Sequence, residues 1–401
     1  MNLLDKIGIH LSDLRNECGS WRKRGIKSLI TEAEDCIKQN KEKNVWIDCM
    51  ILAKPFIKAY EEEGESFQNI CLDSFIDLFK YSTLDLFPQI QVLDRIIQAL
   101  FTTDKKISDD MKIKCCQTIM ACLCSPSGDF YMHGKINYKI IIFLIAMYGI
   151  SIPNPVCENI SKTIHDIIDH FIKMYKKKIQ YPQFQSVKKL VAFHVQILMI
   201  NSVFIADFAP NSIRSTISDV DLILLIRAFT KKISSGDYEN EIIPSIKLCC
   251  DGVYHILNSE TPFTRTTDFS VVLKTDIHVG LLTLTLDTHP QLVEPTSQLI
   301  EVCWRKYAPI YLQQLNDLLT HGILTALSSS LPEVIERSFD IFSHLIQNPQ
   351  FLVDAFVNYD CDHSGSFQNI FEKTLNLIVN NAYPNQVTEE HQVHSIRTIV
   401  N

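Results

Sequence analysis

Asn154-Pro155-Val156-Cys157-Glu158-Asn159-Ile160-Ser161-Lys162-Thr163-Ile164-His165-Asp166-Ile167-Ile168-Asp169-His170-Phe171-Ile172-Lys173-Met174-Tyr175 decides the fold class. Asparagine followed by proline is a helix start, because proline at the first helical position loses an N–H that would have no partner anyway. From there Val156, Ile160, Ile164, Ile167, Ile168, Phe171, Ile172 and Tyr175 recur at three- and four-residue steps, an unbroken apolar stripe. Lys162, Asp166, Asp169 and Lys173 occupy the other side. The segment reads as an amphipathic helix with one face on a core.

The same pattern extends in both directions. Ser330-Leu331-Pro332-Glu333 has the form of a capping box, with Ser330 and Glu333 exchanging bonds, and Val334, Ile335, Ser338, Phe339, Phe342, Leu345 and Ile346 follow as its stripe. Asn348-Pro349 ends that helix and opens the next. Further helices are expected to start near Leu3, Gly25, Val45, Ser66, Phe87, Ser108, Ile136, Ser186, Ser212, Tyr238, Val293, Ala308, Ser366 and Thr388. The alternating Phe269, Val271 and Leu273 within Thr264 to Lys274 suggest a short strand or extended loop instead.

Many helices of similar length with short connections and no strict repeat predict an all-α fold, an irregular armadillo-like α-solenoid of antiparallel helices. Lys176-Lys177-Lys178 and Tyr181-Pro182-Gln183 interrupt the pattern and place a junction near residues 178–186.

Composition agrees. The 401 residues include only 12 glycines, and Asp251-Gly252 is a rare tight-turn dipeptide, so hairpin-rich folds are disfavoured. The net charge of −8 argues against a nucleic-acid binder. Thirteen cysteines, an odd number and many within apolar runs, read as buried thiols of a reducing compartment. The N-terminus lacks the apolar core of a signal peptide. The run Ile140 to Gly149 falls short of the roughly 20 residues a membrane helix needs. Leu190 to Ala209 is long enough, but His194, Gln196, Asn201 and Asp207 make it a core helix.

Chemistry is sparse. No glycine-rich phosphate loop, no G-x-S-x-G and no H-E-x-x-H occurs. Glu390, His391 and His394 read as the solvated side of a terminal helix. Cys115, Cys116, Cys122, Cys124 and His133 cluster, but adjacent cysteines on one helix point apart, so core packing is expected and no metal or other cofactor is predicted. Two basic runs, Trp21-Arg22-Lys23-Arg24 and Lys173, Lys176, Lys177, Lys178 with Lys188 and Lys189, read first as solvated helix ends. The second is a candidate contact for an anionic membrane surface or an acidic partner.

Asp360-Cys361-Asp362-His363-Ser364-Gly365 follows the first half of an EF-hand calcium loop. Position twelve, which should be a bidentate glutamate, is Phe371, and Glu372 comes one residue late, about 100° further round a helix. An acidic residue near a helix N-terminus is the simpler account of Asp360 and Asp362.

Phe351 to Val357, followed by Asn358-Tyr359-Asp360-Cys361-Asp362 and then Asn369-Ile370-Phe371-Glu372, closely resembles the box of the homology-upstream (HUS) domain in large Arf guanine-nucleotide exchange factors, the BIG and Golgi brefeldin-A-resistance types. Asn380-Asn381-Ala382-Tyr383-Pro384 is somewhat more similar to the second type. Gln91 to Leu100 and the helix after Asn154 resemble, more loosely, the family's dimerisation and cyclophilin-binding (DCB) domain.

The resemblance implies a DCB-like domain over residues 1–178, a HUS-like domain over 186–384, and the start of a further helical segment at 385–401. It also implies a non-catalytic regulatory region that forms a homodimer, binds Arf or Arf-like GTPases, and is cytoplasmic, peripherally attached to Golgi membranes in vesicle transport. Asn358, Tyr359, Asp360, Cys361 and Asp362 would hold the two domains together. The family's exchange domain follows this region, whereas the sequence stops at Asn401, so exchange activity is not expected of these residues. A generic armadillo-like trafficking scaffold and a relative of the family without an exchange domain are the alternatives.

Overall fold

The computed structural model describes residues 3–19, 23–43, 48–62, 64–80, 90–102, 107–125, 128, 132–149, 155–176, 217–236, 242–329, 331–361, 369–382 and 393. Among these there is no strand, and the all-α expectation holds. The chain forms two compact units, residues 1–224 and 225–401. The predicted junction at 178–186 lies outside the described residues, as does Leu190 to Ala209.

The first unit contains α1 (Leu3–Glu17), α2 (Arg24–Lys43), α3 (Cys49–Glu62), α4 (Glu65–Lys80), α5 (Ile90–Phe101), α6 (Asp109–Leu123), α7 (Lys135–Gly149) and α8 (Pro155–Lys176). Helix α9 (Ile217–Ile233) follows, and its residues up to Leu224 belong to this unit. Neighbours pack in a running order: α2 on α3, α3 on α4, α1 on α4, α4 on α6 and α6 on α8. Helix α8 starts at Pro155 as expected, and Val156, Ile160, Ile164, Ile167, Ile168, Phe171 and Ile172 are all buried. Each such aliphatic or aromatic side chain stabilises the fold by about 1.5–3 kcal/mol relative to exposure. Lys162, Asp166 and Lys173 face solvent. Cys115, Cys116 and Cys122 sit in the core, where burial raises their thiols, Cys115 to about 12 and Cys116 to about 11.

The second unit contains α10 (Ile243–Asn258), α11 (Thr267–Val272), α12 (His278–Thr285), α13 (Val293–Asp317), α14 (Thr325–Leu327), α15 (Pro332–Ile346), α16 (Pro349–Ala355) and α17 (Ile370–Ala382). Helix α13 is central, packing on α10 on one side and α15 on another. Three π-helical stretches, Leu273–Ile277, Leu318–Leu324 and Phe356–Asp360, continue α11, α13 and α16. A π turn widens the helix locally and re-aims the side chains that follow, and such turns are frequent at functional sites.

Two local expectations are corrected here. Residues 264–274 are helical, not extended: the Thr266 hydroxyl accepts from the Phe269 N–H and starts α11. Phe269 and Leu273 are buried one turn apart, whereas Val271 is half exposed, so the apparent alternation is one helical face with an exposed residue inside it. No helix begins near Ala308, because α13 runs through Pro309 while Trp304, Tyr307, Tyr311 and Leu315 keep its stripe in the core. Helix α15 is led by Leu331 with Pro332 in its first turn, and Ser330 lies outside the described residues. At Asn348-Pro349 the side-chain oxygen of Asn348 accepts from the Gln350 N–H, as its position suggests.

Gly252 shows how tightly α9 and α10 are packed within the second unit. A Cβ at this position would stand 2.8–3.0 Å from three ring carbons of Phe229, itself fully buried. Overpacking of a rigid aromatic costs about 1–3 kcal/mol. Gly252→Ala is therefore expected to lower the chemical-denaturation midpoint, and an unchanged midpoint would show that the ring moves freely.

Candidate interaction site

Asn358, Tyr359 and Asp360 belong to one continuous helical stretch, α16 followed by the π turn Phe356–Asp360, and Cys361 follows it as a turn. Tyr359 is 1% exposed, and its hydroxyl donates to the carbonyl of Leu312 in α13, 3.1 Å away. Burial, with the Asp354 charge adding to it, pushes the Tyr359 phenol upwards, so it stays a donor. The aromatic body fills the core while its one polar atom takes a backbone partner.

Asp360 closes the next gap. Its Oδ1 accepts from the Phe371 N–H at 3.0 Å and its Oδ2 from the Glu372 N–H at 2.8 Å. Both amides belong to the first turn of α17, where backbone donors have no helical partner. Asp360 is thus a cap supplied from 11 residues upstream, with the favourable sign for the helix dipole. Asn369 supports the same turn, donating to the Glu372 carboxylate at 3.1 Å.

This geometry bears on the calcium-loop pattern. The carboxylate that would be the first metal ligand has both oxygens occupied by backbone N–H groups.

Asp354 anchors the other end, accepting from Trp304 Nε1 at 3.1 Å and Gln350 Nε2 at 2.7 Å, while Trp304 packs edge-on against Phe351. Asn358 donates to the Asp354 carbonyl at 2.8 Å. Cys361 is exposed. Asp362 lies outside the described residues, as do Lys177, Lys178, Lys188 and Lys189 and the side chain of Lys176. Glu390, His391 and His394 lie outside them too.

With Tyr359 and Asp360 turned inward, the same stretch turns Val353, Phe356 and Val357 outward, each about half exposed. Phe356 meets Phe371 edge-on at 5.7 Å, and Leu375 and Val379 continue that line along α17. The result is an apolar ridge over two helices. A contiguous exposed ridge is the mark of a protein contact, whereas single exposed apolar residues are not.

Two polar networks had no local sequence signal. In the first unit, the fully buried Asp221 accepts from Asn137 Nδ2 at 3.0 Å and the Gly134 N–H at 2.7 Å, and pairs with His133 Nδ1 at 2.6 Å. In the second unit, His278 links Tyr311 Oη at 3.1 Å to Asp317 at 2.7 Å, and His321 meets the other Asp317 oxygen at 2.6 Å. Partial burial pushes the Asp317 carboxyl up, but the hydrogen bonds and positive charge of His278 and His321 outweigh it and hold the group below 3.8.

A carboxyl lowered in the folded state stabilises the fold above its unfolded pKa, and that contribution is lost as pH falls through the folded value. Thermal stability should therefore drop below about pH 4, and Asp317→Asn should flatten that acid limb. Parallel wild-type and variant curves would contradict the assignment.

Comparison with known proteins agrees with the box. Residues 220–366 match the family model described as Sec7-like_HUS: Mon2/Sec7/BIG1-like, HUS domain. A search of curated proteins finds no match. Among solved structures, the crystal structure of an engineered protein covers 100% of this chain and 98% of its own at 10% identity, with a TM-score of 0.24. Residues 220–366, with the box near their C-terminal end, are thus similar to the HUS domain of Mon2/Sec7/BIG1-like proteins.

Proposed function

We propose that this chain is the non-catalytic regulatory region of an Arf guanine-nucleotide exchange factor. It would act as a dimerising scaffold that Arf or Arf-like GTPases recruit to the Golgi surface. The match of residues 220–366 to a HUS model supports the reading, and the observation that carries it is the ridge of Val353, Phe356, Val357, Leu375 and Val379 beside the box. In this reading the inward members, Tyr359 and Asp360, fix the ridge, Asn358 and Cys361 border it, and Asp362 belongs to the same contact by its place in the box. The ridge receives the DCB-like residues 1–178, of the same chain or a second copy. Lys176, Lys177, Lys178, Lys188 and Lys189 add affinity for an acidic partner or membrane surface.

Pull-downs of the full chain with Arf and Arf-like GTPases in both nucleotide states test the recruitment. Light scattering of wild type and Phe356→Asp/Val357→Asp tests the ridge: the variant should lose self-association while its circular dichroism still shows a folded helical chain, since both side chains are about half exposed. A chain that binds no such GTPase and is monomeric throughout would point to the generic scaffold instead.

A further inference from the structure

The second unit holds a cleft of about 900 Å³ that the reading above does not use, between the Ser259–Ser270 connection and the middle of α13. One side is cationic. Arg265 is exposed and has no acidic partner among the described residues, and Lys306, donating to the Asn258 carbonyl at 2.7 Å, retains two further N–H donors. Glu260, the acid among the lining residues, is exposed and so screened by water.

The lining is also rich in hydroxyls, and their bonding separates them into two groups. Thr264 and Thr266 donate to local carbonyls and are occupied. Among the described residues Thr267 and Ser270 have no such bond, and Thr261, only 3% exposed, keeps a hydroxyl with no hydrogen-bond partner. A buried hydroxyl without a partner is uncommon in a folded chain and marks a position that something else completes.

Pro309 contributes to the same wall. Lacking an N–H, it leaves the α13 carbonyl one turn back without its helical donor. Ile310 stands beside it, partly exposed, as an apolar lip.

A guanidinium, an ammonium and several free hydroxyls around one concavity match a ligand with many acceptor oxygens and negative charge. We propose that this cleft binds a phosphate monoester, with Arg265 and Lys306 taking the charge, Thr267 and Ser270 donating to its oxygens, and Thr261 completing the floor. The ester could be soluble or the headgroup of a lipid whose chain leaves over Ile310. The chemistry at the cleft is the same for both.

Calorimetric titration of the full chain with inorganic phosphate and with glycerol 3-phosphate gives the first test. Saturable binding should strengthen between about pH 5.5 and 7.5 as the monoester becomes a dianion. Arg265→Glu should weaken it about tenfold or more, and Thr261→Val by less, because one charged bidentate contact outweighs one neutral hydroxyl. Lys247→Glu, an exposed charge elsewhere in the unit, should leave it unchanged.

Flotation with phosphatidic acid in phosphatidylcholine vesicles then separates the sources. Binding that Arg265→Glu removes assigns a lipid headgroup, and soluble binding without flotation assigns a soluble ester. No saturable heat from either soluble probe, or equal affinity in Arg265→Glu, would overturn the proposal. Thr261→Val keeps the side-chain shape, so a melting temperature equal to wild type or higher shows that its loss of binding is not unfolding.

Discussion

Tyr359→Ala should be the most damaging single change in the second unit. It removes a side chain that is 1% exposed and leaves a cavity between the π turn and α13, and large-to-small aromatic substitutions of this kind cost about 3–5 kcal/mol. Tyr359→Phe separates the two contributions of the residue. It keeps the ring and deletes the bond to Leu312, leaving that carbonyl to water or to strain, for a cost of about 1 kcal/mol. The ordering wild type, Phe, Ala in urea midpoints is the expected result. Equal midpoints for Phe and Ala would mean that the hydroxyl rather than the ring holds the box.

The second large effect belongs to the first unit. Asp221→Ala strips one acceptor from three donors at once: the His133 ring, the Gly134 N–H and the Asn137 amide. Asp221 is 0% exposed and Asn137 1%, so water cannot easily replace the carboxylate. Removing one partner from a buried polar network costs about 3–5 kcal/mol, because the remaining groups keep their desolvation penalty. Gly134 adds a geometric demand, since its φ of 64° lies in the region that favours glycine and aims its N–H. Asp221→Asn, which keeps one oxygen, should fall between wild type and alanine. Denaturation followed by tryptophan fluorescence and circular dichroism checks both variants, and a loss below about 1 kcal/mol would show that the network is solvated.

How much of this was legible beforehand depends on the range of each interaction. Helix α8 declared itself because its information is local: a proline start and an apolar residue every third or fourth position. The two-residue alternation at 264–274 suggested a strand or loop, but Phe269 and Leu273 share a helical face and Val271 happens to lie between them. The start expected near Ala308 is absent because a helix held by Tyr307, Tyr311 and Leu315 runs through Pro309 and tolerates one missing N–H.

The box was readable as an acidic string near a helix start, and Asp360 is that. Which donors it would reach was not readable, since Phe371 and Glu372 lie 11 and 12 residues away. Asp221 and His133 are 88 residues apart, and the polar pair leaves no periodic trace in either segment. His278, Asp317 and His321 join across 39 residues and 4 residues, and only the second spacing is a helical neighbour. Local periodicity therefore yields the helices, while the polar contacts that fix them come from pairings between segments.

The central claim is that Asp360 caps α17 from a distance and so holds the ridge of Phe356, Phe371, Leu375 and Val379 in one piece. Amide hydrogen exchange at Phe371 and Glu372 tests it most directly. In the wild type both amides should be protected, and in Asp360→Ala both should exchange at least about tenfold faster, while the amides of α13 stay as they were. Unprotected amides in the wild type, or protection that survives Asp360→Ala, would contradict the account.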